Sequence, residues 1–192
     1  METRKAQLDE LVAKLSKMFP EVKNLTANEL HALLEDPDQE VVLVDVRLPE
    51  EVAVSVIPGK TLTEEEFQQQ KEELRDSKVV SYCTVGFRSS QFVKRAQAEG
   101  FQAYNLAGSI VAWTQEGYPL VVRPQPLAGS QAQRELEVEH QPGQPTKRVH
   151  VFGKQWALQG EGYEPVMFGS PYWEYAKGAV RKLLPSWLHG GN

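Results

Sequence analysis

The chain has 192 residues, 41% of them hydrophobic, and a net charge of −5, which is enough material for one domain of ordinary size with a real core, plus an appendage. The acidic balance excludes a general nucleic-acid binder, which needs a basic face. Its single cysteine, Cys83, excludes an internal disulfide, a cysteine-ligated zinc site and an internal resolving thiol.

From Lys5 to Phe19 the apolar residues Leu8, Leu11, Val12, Leu15, Met18 and Phe19 fall on one face at helical spacing, and Pro20 ends the pattern. This predicts a helix over residues 1–20 that packs on the main domain; a partner-binding helix is the other reading. Thr26 with Glu29 three residues on forms a capping box for a short helix through Leu30, Leu33 and Leu34, ending near Asp36-Pro37. Glu40 to Arg47 reads as a strand covered on both faces, because its apolar run is nearly continuous. Leu62 to Leu74 reads as a charged helix capped by Thr63, and Val79 to Tyr82 as a second buried strand. A helix over Ser89–Glu99 closes at Gly100, and a third strand follows over Phe101–Leu106. Gly108 to Glu116 is a short helix carrying Trp113 and ended by Gly117. Strand alternating with helix predicts an α/β fold with a mainly parallel sheet, in which ligands sit at the carboxyl ends of strands.

The composition changes after Val122. Residues 123–146 are rich in Pro, Gln and Gly and read as a linker, with Glu135 to Glu139 alternating as an edge strand would. Residues 147–192 read as an extension with short strands at Val149–Phe152 and Tyr163–Phe168 and a helix over Tyr172–Leu184. The extension holds Trp156, Trp173 and Trp187, three of the four tryptophans. It either folds back over an apolar face or, with Arg181 and Lys182 beside the aromatics, offers a docking or dimerising surface.

The chemistry is concentrated in Cys83-Thr84-Val85-Gly86-Phe87-Arg88-Ser89-Ser90. A thiol stands where a buried strand ends, in a tight loop that leads into a helix. Backbone N–H groups, the positive end of the helix and the charge of Arg88 all favour thiolate over thiol, and the thiolate is the nucleophile. A lone cysteine is ordinarily an inert buried residue; its company here argues for a reactive one. His31, His140, His150 and His189 show no metal-ligand spacing and read as surface or core residues, so no metal is expected.

Three motifs in order make the stretch from Val22 to Val122 resemble a rhodanese domain. They are Val44-Asp45-Val46-Arg47-Leu48-Pro49-Glu50-Glu51 followed by Ile57-Pro58-Gly59, the Cys83–Ser90 loop, and Leu106-Ala107-Gly108-Ser109-Ile110-Val111-Ala112-Trp113 closing with Gly117-Tyr118-Pro119-Leu120. The resemblance covers residues 21–122, a little over half of the chain. It implies a rhodanese-like α/β domain, a central mainly parallel sheet flanked by helices, here with an N-terminal helix and a small C-terminal extension. It also implies a sulfurtransferase that carries sulfur as a persulfide on Cys83, with no cofactor.

In that scheme the backbone N–H groups of Thr84, Val85, Gly86, Phe87 and Arg88 hold the terminal sulfur. Ser89 or Ser90 caps the following helix and is placed to donate a hydrogen bond. Asp45 and Arg47 support the fold, Asp45 accepting from the loop and Arg47 pairing with Glu50 or Glu51. The expected partners are a small sulfur donor (thiosulfate or a persulfide) and a thiol acceptor, or cyanide in a test tube; a protein acceptor would dock on the extension. The alternative is a non-catalytic binding or redox-regulatory module. Four residues separate Cys83 from Arg88, whereas cysteine phosphatases place one more, so the ring suits a sulfur atom rather than a phosphate. Two departures bear on the donor: Ser55-Val56 precedes Ile57-Pro58-Gly59 where many members have a histidine, and Thr84 follows the cysteine where thiosulfate-active members often have a basic residue. Met1 to Lys5 lead into no apolar stretch of signal-peptide type, and no run is long enough to span a membrane; the expected location is cytoplasmic.

Overall fold

Helix starts follow the capping residues. In the computed structural model, which describes residues 3–123 and 143–168, α1 (Arg4–Met18) begins at Thr3, whose hydroxyl accepts the Ala6 N–H at 3.2 Å. After β1 (Asn24–Leu25), α2 (Ala27–Glu35) begins with the capping box expected at Thr26. The Thr26 N–H donates to the Glu29 carboxylate at 2.7 Å and the Glu29 N–H donates back to the Thr26 hydroxyl at 3.2 Å. Thr63 and Glu66 repeat the device at α4 (Glu64–Gln70).

The remaining elements are β2 (Val41–Asp45), α3 (Pro49–Val52), β3 (Thr61–Thr63), β4 (Lys78–Tyr82), α5 (Phe87–Ala98), β5 (Ala103–Leu106) and α6 (Ser109–Gln115). Beyond them lie β6 (Leu120–Val122), β7 (Gln144–Thr146), β8 (Arg148–His150) and β9 (Glu164–Val166). The central sheet runs β1-β5-β4-β2-β3, every neighbouring pair parallel. Side chains of β2 alternate between its faces. Leu43 joins Leu30, Ile57, Ile110 and Trp113 on one side, and Val42 and Val44 join Phe67, Phe92 and Val93 on the other. Helices therefore cover both faces, as the run of apolar residues in β2 predicts. This order carries Cys83 to the carboxyl end of β4, in the middle of the sheet.

Several boundaries differ from the sequence reading. The helix expected over Leu62–Leu74 is shorter, because Leu62 belongs to β3 and pairs with Val44. The helix expected from Ser89 starts earlier, at Phe87, because Gly86 takes a left-handed φ of +114° and turns the chain into it. Gln144–Thr146, read as linker, is a strand antiparallel to β6. The strand expected at Glu135–Glu139 and the helix expected at Tyr172–Leu184, with Trp173, Trp187, His140 and His189, lie outside the described residues. No helix among the described residues is long and apolar enough to cross a membrane.

A third apolar cluster joins segments distant in sequence. Leu8, Leu11 and Leu15 of α1 meet Val85 and Phe87 of the cysteine loop, Val111 of α6, and Val151, Trp156 and Leu158. The 151–158 stretch is tied down by polar contacts as well: the Gln115 side-chain amide donates to the Leu158 carbonyl at 2.7 Å, and the Gly160 N–H donates to the Thr114 hydroxyl at 3.1 Å. Gly160 is required by this approach, since a Cβ there would fall on the Thr114 carbonyl. Gly160→Ala is expected to lower stability by about 1–3 kcal/mol, as overpacking does, read as a lower urea midpoint with an unchanged slope.

Candidate active site

Gly86 shapes the loop. With its left-handed backbone, its own N–H turns back to donate to Cys83 Sγ at 3.2 Å, where the first turn of α5 begins. The Ser89 hydroxyl lies 3.5 Å from Sγ and 2.7 Å from the Asn105 side-chain oxygen. Asn105 donates in turn to Asn24 at 2.7 Å. A hydroxyl has one proton: placed on Asn105 it ties α5 to β5, and turned to a thiolate it adds a second donor there.

The other side of the loop is held by α6. Ser109 sits at φ +53°, among the described residues the one non-glycine at positive φ. Its hydroxyl accepts the Cys83 N–H at 3.0 Å, while the N–H groups of Ile110 and Val111 donate to the carbonyls of Cys83 and Thr84, each at 3.3 Å. Backbone strain of this kind costs on the order of 1 kcal/mol, offset here by donors and acceptors that fix the cysteine from behind.

Arg88 reaches back across the loop to Glu51. The guanidinium and carboxylate form a two-pronged pair at 2.6 and 2.9 Å, and the same guanidinium donates to the Thr84 hydroxyl at 3.2 Å. Glu51 also accepts the Leu48 N–H at 2.9 Å and stands 3.0 Å from His150 Nδ1. Glu51 and His150 are both fully buried. Burial pushes the Glu51 carboxyl up, but the Arg88 charge and the hydrogen bonds from His150 and Arg88 outweigh it, holding Glu51 well below the ordinary carboxylate range. Burial likewise pushes the Cys83 thiol up; the Arg88 charge, the Ser89 hydroxyl and the Ser89 and Gly86 N–H groups overcome it, and the thiol lies below its ordinary value. Cys83 is 2% exposed, so this stabilisation acts in a water-poor setting.

The structure thus sets Gly86 and Ser89 against the sulfur and pairs Arg88 with Glu51 and Thr84, while Val85 and Phe87 turn their side chains into the apolar cluster with α1. Of the five backbone donors expected from Thr84 to Arg88, the hydrogen bond to Sγ comes from Gly86. Neither serine caps α5. Gly86 is the N-cap, and inside the first turn the Ser90 hydroxyl donates to the Gly86 carbonyl at 2.7 Å.

Two pairings also differ from expectation. Arg47 grips Asp45, two residues before it, at 2.6 and 2.9 Å, and donates to the Ser55 carbonyl at 2.6 Å. Glu50 and Glu51 are not its partners, because Glu51 is turned inward to Arg88. Asp45 in turn takes Arg47 donors on both oxygens instead of loop N–H groups. Glu51, Ser109, Asn105 and His150 escaped the sequence reading as site residues. The signal for His150 was a polar residue between Val149 and Val151 in an otherwise apolar alternation.

Residues 26–116 match the family profile described as Rhodanese-like domain. The chain is 33% identical over 103 residues to a protein named sulfurtransferase from Allochromatium vinosum, a match covering 52% of this chain and 95% of that protein. It is 33% identical over 101 residues to the putative sulfurtransferase YtwF of Bacillus subtilis, covering 52% of this chain and 97% of the other. The crystal structure of a thiosulfate sulfurtransferase from Pseudomonas aeruginosa superimposes with a TM-score of 0.51 at 22% identity, over 70% of this chain and 26% of that one, and shares the fold.

The Glu51–Arg88 pair yields a stability prediction. Glu51→Gln leaves a mostly buried guanidinium without its counter-charge, and a loss of about 3 kcal/mol is expected at pH 7. Because the folded carboxyl is held below its unfolded value, its contribution is complete above the ordinary carboxylate range and is lost as pH falls toward the folded value. The gap between wild type and Glu51→Gln in urea unfolding is therefore expected to be widest near neutrality and to narrow in acid.

Proposed function

The chain belongs to the rhodanese-like family, and on that premise we propose that it is a sulfurtransferase carrying sulfane sulfur as a persulfide on Cys83. The observation that carries this reading is the Gly86 N–H donating to Sγ with the Ser89 hydroxyl beside it, in the field of Arg88. They stabilise an anion at that atom without a general-base histidine.

The Cys83 thiolate attacks the outer sulfur of the donor. A new S–S bond forms on Cys83 as the donor's own bond to that sulfur breaks, its electron pair leaving with the rest of the donor: sulfite from thiosulfate, a thiolate from a persulfide. An acceptor thiolate then attacks the terminal sulfur, takes it, and returns Cys83 as thiolate. Cyanide in the acceptor's place leaves as thiocyanate. The spacing of four residues between Cys83 and Arg88 supports a cradle sized for one sulfur atom. Thr84, with its hydroxyl engaged by Arg88 and within 3.4 Å of Glu51, adds no positive charge beside the nucleophile. A protein or low-molecular-weight persulfide therefore stands beside thiosulfate as the donor. An acceptor approaching the loop meets the Val151–Leu158 stretch, the proposed place for its docking.

The test is the intact mass of the reduced protein after incubation with thiosulfate and, separately, with a persulfide. The expected result is the gain of one sulfur atom, removed by cyanide and absent in Cys83→Ser. No gain from either donor, with the protein folded and the thiol free, would leave the redox-regulatory module as the better account of a cysteine only 2% exposed.

A further inference from the structure

His150 lies outside the family match of residues 26–116, yet it enters the site from β8 as a fully buried side chain. Its Nδ1 is 3.0 Å from Glu51 Oε1, and the same oxygen accepts Arg88 Nη2 at 2.9 Å. The state of each partner follows from this geometry. Glu51, ionised beside Arg88, can only accept hydrogen bonds, so Nδ1 carries the proton and donates. The imidazole ring also stacks on Phe168, with centroids 4.7 Å apart. His150 thus meets the site as a donor to Glu51 and as a packed ring.

We propose that His150 is a positioning residue for Cys83. Its Nδ1–H satisfies Glu51 Oε1, and so limits the claim of that carboxylate on Arg88. Arg88 is paired with Glu51, and its charge acts on the sulfur. A carboxylate that loses a buried donor carries more uncompensated negative charge, draws the guanidinium more strongly and repels the thiolate more. The other groups around the sulfur do not replace this donor. The end of β2 presents Asp45 and Arg47, already paired to each other. From α1 come Leu8, Leu11 and Leu15, and from α6 come Ser109 and Val111. The inference rests on the proposed role of Cys83 as the reacting group, but its test does not require sulfur transfer.

The test is a titration of the thiolate by its far-ultraviolet absorbance. With one cysteine in the chain the signal belongs to Cys83, and Cys83→Ser supplies the baseline. His150→Phe keeps a ring against Phe168 and removes the donor. His150→Asn removes the ring and keeps an N–H donor on the γ-carbon, where Nδ1 is attached. The expected result is a midpoint about one pH unit higher in His150→Phe, a tenfold lower thiolate fraction at fixed pH below it, with His150→Asn returned to the wild-type midpoint. Equal midpoints in wild type and His150→Phe would overturn the proposal. So would a displaced midpoint in His150→Asn, which stands as a test on its own should the phenyl variant fail to fold. If the wild type gains no sulfur while His150→Phe still moves the midpoint, the sulfurtransferase reading fails and the positioning role stands.

Discussion

A carboxylate sealed from water has to be surrounded by donors, and Glu51 organises this molecule around that requirement. Its donors come from separate parts of the chain: the Leu48 N–H at the head of α3, Arg88 in the first turn of α5, and His150 at the end of β8. None can be withdrawn cheaply, since a buried charge that loses a partner carries its desolvation cost uncompensated. The pose of the cysteine loop, the entry angle of α5 and the seat of β8 are therefore fixed against one group. Arg47 and Asp45 brace the same region from below, because the Arg47 bond to the Ser55 carbonyl holds the chain that follows α3.

The thiol is activated by where it is placed. A thiolate near Glu51 alone would be repelled; the charge of Arg88, paired with Glu51, favours it. The helix start adds partial positive charge over a short range, and Gly86 makes that charge reach the sulfur by letting the chain enter α5 with its N–H groups turned inward. Behind the loop, Ser109 accepts a strained backbone to present its hydroxyl to the Cys83 N–H. Donors arranged beforehand around one atom need little rearrangement when the charge forms.

Much of this was legible in the sequence because local chemistry dictates it. Thr26 and Glu29, and Thr63 and Glu66, announce helix starts through contacts three residues apart, and both capping boxes form. The unbroken apolar run of β2 announces a strand covered on both sides, and the sheet puts Leu43 and Val44 in different cores. What resisted reading is nonlocal. Arg47 has acidic neighbours at Glu50 and Glu51, and spacing alone cannot tell that Glu51 turns inward to a residue 37 positions away while Asp45 takes Arg47. The imidazole of His150 comes 99 positions along the chain to reach its carboxylate, and no periodicity records that. The start of α5 was misjudged for a local reason: serines are the commoner caps, but a glycine at positive φ can begin a helix with no side-chain cap at all.

The cover over Cys83 and the donors beneath it are made of different materials, and this lets both act at once. Leu8, Leu11 and Leu15 of α1, with Val151, Trp156 and Leu158, reach the loop through the side chains of Val85 and Phe87. These contacts are held by dispersion and by exclusion of water, and they do not compete for the Gly86 N–H or the Ser89 hydroxyl. A polar cover would have drawn on those same donors and left fewer for the sulfur. An apolar one lowers the local dielectric, so each remaining donor and the Arg88 charge count for more at the thiolate. Polar attachment of the segment after β7 is displaced to the edges of the site, to the Leu158 carbonyl, to the Gly160 N–H and to the His150 contact with Glu51. Of these, His150 alone joins the Glu51–Arg88 network, so the cover is anchored to the cysteine loop through Glu51 and Arg88 and leaves the Gly86 N–H on the sulfur unshared.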